Sequence, residues 1–142
     1  YIKGIHKNRG DNVVSVKTVD ALKGKGLLNN NHFKENNDKK CQITLIEIEN
    51  INYYNNLTNS KIKAINFRRN IITEGIKLNN LVGKEFFVGN IKIKGHDLCK
   101  PCKYIEKKLI KNDIVKLLLL KSGLRCEILS SGKISVGDII KY

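Results

Sequence analysis

The chain has little of what usually announces a function. A single proline, four arginines and an aromatic content of 6% stand among 142 residues. With Pro101 as its one proline, the chain has no second, cis proline to set opposite the pair in Cys99-Lys100-Pro101-Cys102. That argues against a thioredoxin-type dithiol, which also needs a βαβ setting. Few arginines and few aromatics argue against sequence-reading nucleic-acid recognition, which leans on bidentate Arg and on stacked rings. Long apolar runs are missing too. The longest, Ile114 to Leu120, is broken by Lys116 and falls far short of the roughly 20 residues a spanning helix needs. The first residues, Tyr1 to Lys7, contain no apolar signal core, so a cytoplasmic protein without a membrane partner is expected. The first residue is not Met, and the exact N-terminus is given no weight. No repeat and no low-complexity linker is visible, and the length fits one domain over residues 1–142.

What the chain has in excess is lysine. Lys and Arg number 27 against 13 acids, a formal charge of +14. Residues 1–71 carry 13 basic and 6 acidic groups and residues 72–142 carry 14 and 7, so each half contributes +7. There is no basic tail. Lys, Asn and Ile are abundant together, the signature of an AT-rich coding bias, and the lysines are read as background. Against that background Arg9, Arg68, Arg69 and Arg125 stand out, because Arg is not replaceable where a planar fork must grip a carboxylate or phosphate. Pairing of Arg68 or Arg69 with Glu74 or Glu47 is the plainer alternative.

Hydrophobic alternation is mostly of period two. Val13–Lys17 and Gln42–Ile46 read as strands. Phe86–Val88, Gly89-Asn90 and Ile91–Lys94 read as a hairpin, its second strand alternating apolar and Lys. A similar unit is expected at the end, with Cys126–Leu129, a turn at 130–132, then Ile134–Val136 and Ile139-Ile140. Ile48, Ile51, Tyr54 and Leu57 have helical spacing. A second helix is expected from Asn112-Asp113 to Ser122-Gly123. Many short strands with few helices argue a mainly β fold, a closed barrel or sandwich.

The densest chemistry is His96-Asp97-Leu98-Cys99-Lys100-Pro101-Cys102-Lys103. Lys100 and Lys103 flank the thiols and are expected to favour the thiolate. Structural zinc is one reading, with His96, Cys99 and Cys102 spaced like ligands and Cys41 or Cys126 as a fourth. A single thiolate that carries sulfur or ligates a soft metal such as molybdenum is another. A third is a pair of buried thiols that only pack. Cys41 and Cys126 lie in strand-like runs, and packing is the favoured reading for them.

Five segments, in order, resemble the stand-alone bacterial MOSC domain (molybdenum cofactor sulfurase C-terminal domain) over nearly the whole chain. Gly24-Lys25-Gly26-Leu27 is similar to its glycine-rich loop, and Ile43–Glu47 to its strand entering the first helix. Arg68-Arg69-Asn70-Ile71-Ile72-Thr73-Glu74-Gly75-Ile76, with Leu78, Leu81 and Gly83, is similar to its Arg-Arg-Asn stretch. Leu98–Glu106 resembles its cysteine motif, and Gly123-Leu124-Arg125 to Gly132 with Val136-Gly137-Asp138 its closing strands. The sequence departs from the pattern at Asn30, where the family has an acidic residue.

The resemblance implies a closed mixed β-barrel of the pyruvate-kinase-barrel kind with a few short helices and a pocket at one end. It implies a molybdopterin-type molybdenum cofactor, or sulfur carried on a cysteine as a persulfide to a metal centre, with a family-level association with pyridoxal phosphate. Cys102 is then the expected reactive thiol and possible molybdenum ligand, with Cys99 as its helper. Arg68, Arg69, Asn70, Thr73 and Arg125 are the expected cofactor contacts. A cysteine desulfurase or a molybdenum enzyme is the expected partner. The alternative from another class is a zinc-stabilised or basic interaction barrel, nucleic-acid-binding or not, without catalysis.

Overall fold

A computed structural model describes residues 1–9, 12–57, 59–100 and 120–142. Cys102 and the helix expected over 112–123 lie, wholly or in all but a few residues, outside the described residues. The strands are β1 (Ile2–Arg9), β2 (Asn12–Val16), β3 (Thr18–Leu22), β4 (Gly26–Leu27), β5 (Ile43–Glu47), β6 (Ile71–Thr73), β7 (Glu85–Val88), β8 (Ile91–Leu98), β9 (Leu124–Ile128), β10 (Gly132–Ser135) and β11 (Ile140–Lys141). One α-helix, α1 (Ile48–Leu57), and two short 3-10 turns, Ala64–Phe67 and Leu78–Leu81, complete the described elements.

Eight strands form one sheet in the order β11–β7–β8–β9–β5–β6–β1–β2, and β10–β3–β4 form a second. All pairs are antiparallel except β5 with β6. The expected hairpin is present as β7–β8 around Gly89-Asn90, with Val88 opposite Ile91. The expected closing unit is different. β9 does not turn back on β10; β10 pairs with β3 and β11 with β7.

The large sheet curls without closing, so a mainly β architecture is present but the barrel is open. Its end strand β11 has only two residues, too few to carry a ladder across to β2. A backbone clasp draws the margins together instead. Ile2 N–H donates to the Asp138 carbonyl at 2.9 Å, Gly137 N–H to the Ile2 carbonyl at 2.8 Å, and Val136 N–H to the Lys17 carbonyl at 2.9 Å.

Alternation along the strands gives each sheet face its own task. Ile43 and Leu45 of β5, with Leu124, Cys126 and Ile128 of β9, point into the main core beside Ile5, Phe86 and Ile93. The other face carries Ile46 and Ile72, covered by Ile51 and Tyr54 of α1 and by Phe67. Tyr54 and Phe67 meet edge to face, with ring centroids 6.3 Å apart. Leu57, at the end of α1, is exposed rather than buried. On that same outer face, Thr44 of β5 and Arg125 of β9 sit opposite one another in register. The polar pair begins the site.

Candidate functional site

Three consecutive residues, Arg68, Arg69 and Asn70, line one cavity of about 170 Å³ together with Asn8, His32, Lys40, Cys41, Thr44, Cys99, Lys100 and Arg125. Neighbours along an extended strand point to opposite faces, so three in a row require a break in the alternation. Arg68 supplies it. It closes the Ala64–Phe67 turn in the left-handed region, at φ 59° and ψ 30°, a conformation that costs a non-glycine residue about 1–2 kcal/mol. The side-chain amide of Asn8 donates to the Arg68 carbonyl at 2.9 Å and helps hold it there.

Asn70 is 3% exposed and its polar atoms are used within the protein. Its Oδ1 accepts from the Thr44 backbone N–H and from Thr44 Oγ1, both at 3.1 Å. Its Nδ2 donates to the His6 carbonyl at 3.1 Å and to Asn30 Oδ1 at 3.3 Å. Expected as a cofactor contact, Asn70 is the joint that ties β1, β5 and the 28–31 loop into the cavity wall. Asn30 contributes the acceptor there, taking the Asn8 N–H at 2.8 Å as well.

Arg69 is aimed by two backbone carbonyls. Its Nε donates to Ser122 O at 2.9 Å and an Nη to Lys100 O at 3.3 Å. The acids that might have claimed an arginine are occupied elsewhere. Glu74 binds Lys3 and the Tyr1 hydroxyl, while Glu47 accepts from Asn50 and from the Leu78 N–H. Five cations therefore line the cavity, Lys40, Arg68, Arg69, Lys100 and Arg125, and no carboxylate among the described residues lines it. Lys40 reaches Asp97 Oδ2 at 3.6 Å, an exposed pair of a kind worth little. Two of the five are lysines, so the lysine content is not all background.

His32 is held below the usual imidazole value by partial burial, then by Lys34 and Arg68. Asn8, 5% exposed, keeps an Oδ1 with no hydrogen-bond partner among the described residues.

The thiols differ from expectation. Cys99 is 4% exposed, and burial pushes its thiol up, against Arg69 and Arg125, which pull it down. Arg125 also hydrogen-bonds it, and Asp97 adds to the rise. The flanking lysines do not make Cys99 a ready thiolate, because desolvation of the charged form outweighs nearby positive charge. Alkylation of Cys99, followed in a Cys41→Ser, Cys102→Ser background, should have its pH midpoint above the ordinary thiol value of 9.0. Arg125→Gln should move that midpoint further up, since it removes a charge and a hydrogen bond that favour the thiolate. Cys126 is core, its thiol pushed well above 9.0 by burial and then by Cys99. Cys41 is not in a strand. It lies in the bend before β5, is exposed, and lines the cavity.

Thr73 and His96 fall outside the cavity. Thr73, at the end of β6, is fully buried with Oγ1 donating to the Ile46 carbonyl at 3.4 Å. His96 pairs with Glu127, Nε2 to Oε1 at 2.8 Å. Among the described residues no three His, Cys, Asp or Glu side chains group as a metal site. No helix among them is long and apolar enough to cross a membrane.

The sequence singled out Arg68, Arg69, Asn70, Arg125 and Cys99, and the fold brings these five together. It missed Asn8, His32, Lys40 and Thr44, read Cys41 as packing or a fourth zinc ligand, and named Lys100 only as a neighbour of the thiols. Only Lys100 carried a local signal, its place inside the cysteine motif.

The model of the MOSC domain family matches residues 24–141. No curated protein matches the chain. Among solved structures, the YuaD protein of Bacillus subtilis has a TM-score of 0.80 at 16% identity, with 99% of this chain and 95% of that one covered. YiiM from Escherichia coli has a TM-score of 0.76 at 18% identity, covering 99% and 68%. A hypothetical protein has a TM-score of 0.77 at 17% identity, and the alignment covers 97% of this chain and 65% of that one, so the chain spans under two-thirds of its length.

Proposed function

The chain belongs to the MOSC domain family, and from that premise we propose that its cavity seats the anionic end of a molybdopterin-type cofactor beside thiols that carry sulfur. The observation that carries this is the lining itself: five cations from four segments, with no carboxylate among the described residues, around Cys99. Guanidinium forks suit phosphate oxygens in two places at once.

Volume decides which part of such a ligand the cavity takes. At about 170 Å³ it is smaller than the roughly 300–1,000 Å³ of pockets that swallow whole ligands. An oxyanion or phosphate end fits, with the rest directed outward. Arg69 and Arg125 hold the anion, Asn70 keeps the wall rigid, and Cys99 waits as a neutral thiol. The bound group would supply a soft metal centre to which sulfur can be delivered.

Three measurements test this. Chain purified from a host that makes the cofactor should release an oxidisable, fluorescent pterin, or gain sulfur on incubation with a persulfide-loaded cysteine desulfurase. Pyrophosphate, as a probe of the anion subsite, should bind by calorimetry. Arg125→Ala should weaken it about 10- to 100-fold, the equivalent of the roughly 1.5–3 kcal/mol of a hydrogen bond to a charged group. No pterin, no sulfur adduct and no pyrophosphate binding would together refute the proposal.

A further inference from the structure

Of the three cysteines among the described residues, one alone is exposed, and it is Cys41. It shares the cavity with Cys99 and the five cations. Its backbone is fixed on both sides. The Cys41 N–H donates to the Asp38 carbonyl at 3.0 Å, and the next residue, Gln42, is 2% exposed with Oε1 accepting the Ile128 N–H at 2.9 Å. The Cys41 carbonyl also accepts from Asn37 Nδ2 at 3.4 Å. The thiol is therefore set at the cavity by a turn on one side and a buried anchor on the other.

The two thiols divide the work between them. Cys99 is shielded. Cys41 can be approached from solvent, and whatever approaches it enters a field of positive charge that concentrates anions.

We propose that Cys41 is the first sulfur-accepting thiol of the site and that it takes sulfane sulfur from a small anionic donor of the thiosulfate class. The proposal rests on the reading of the cavity as an anion and sulfur site, and adds the substrate class and the accepting atom. The Cys41 thiolate attacks the outer sulfur of S–SO3²⁻. A new S–S bond forms at Cys41, the donor's S–S bond breaks, and its electron pair leaves with sulfite. Written as a balance, Cys–S⁻ plus S₂O₃²⁻ gives Cys–S–S⁻ plus SO₃²⁻, with no outside oxidant or reductant. Arg69 and Arg125 are placed to receive the departing dianion, whose charge grows as the bond breaks.

The test incubates the full chain with thiosulfate and reads three quantities: sulfite released, intact mass, and the peptide that carries the added sulfur. The expected result is one sulfite per sulfur gained and the added mass on the Cys41 peptide. Cys41→Ser should lose at least ten-fold in both readouts while melting at an unchanged temperature, and the mapping on unmodified protein needs no variant at all. Added sulfur mapped to Cys99 or Cys102, or undiminished in Cys41→Ser, overturns the assignment. Absence of sulfite release also overturns it. Pyrophosphate binding is measured separately, so this failure would leave the anion site standing.

Discussion

Gly123→Ala should abolish most of the folded protein. Gly123 lies at φ +105°, and a Cβ there would sit well inside contact distance of the Leu45 carbonyl oxygen and carbon, which are backbone atoms that cannot swing away. Its carbonyl accepts the Cys99 N–H at 2.8 Å, and the preceding carbonyl, of Ser122, holds Arg69. Displacing this segment therefore disturbs β5, Cys99 and Arg69 together. The expected cost exceeds about 4–5 kcal/mol, the range reserved for a clash in the core, against a typical total of about 5–15 kcal/mol. Gly75→Ala is the control. Gly75 also has positive φ, +84°, but nothing lies within 4 Å of an added Cβ, so backbone strain alone should cost about 1–2 kcal/mol. Urea midpoints compare the two. Equal losses would show that conformation, not overlap with Leu45, governs Gly123.

Asn70 should be the second most sensitive position. In Asn70→Ala the four hydrogen bonds from its amide vanish, and the Thr44 N–H and His6 carbonyl lose this partner inside the protein. Each buried group left unsatisfied costs about 1–3 kcal/mol, so a loss of about 3–5 kcal/mol is expected. Asn70→Asp keeps an acceptor for Thr44 but turns a charged oxygen toward the His6 carbonyl and Asn30 Oδ1. It should be at least as unstable near neutral pH. The buried carboxyl would have a raised folded pKa, so the variant should regain stability relative to wild type as pH falls through that value and the group becomes neutral. A variant insensitive to acid would show that the wall rearranges around the charge.

How much of this was legible follows from the range of each interaction. The β7–β8 hairpin and the start of α1 could be read because their signals are local: two turn residues between alternating runs, and apolar spacing over ten residues. The partner of β10 could not, since β3 and β10 meet only through distant pairing such as Ile134 with Val19. Arg68, Arg69 and Arg125 stood out because arginine is rare here. Lys40 was hidden among 23 lysines, with nothing local to mark it as facing a cavity, whereas Lys100 was marked only by its place in the cysteine motif. Cys41 was assigned to a strand because hydrophobic residues follow it, whereas the strand starts at Ile43. Asn70 was singled out as a cofactor contact by the family resemblance, and its hydrogen-bonding capacity is spent within the wall.

The clasp between Ile2 and the 137–138 segment joins parts of the chain that are far apart in sequence. β1 is held at its start by residues near the other end, and β9 must slot between β8 and β5 before Arg125 can stand opposite Thr44. The cavity is closed by contacts such as Arg69 with Ser122, separated by 53 positions, and Asn70 with His6, separated by 64. Such non-local wiring folds on about the millisecond-to-second scale. The cavity can thus exist only once these distant segments have met, and any ligand that binds the assembled cavity alone would stabilise the folded chain.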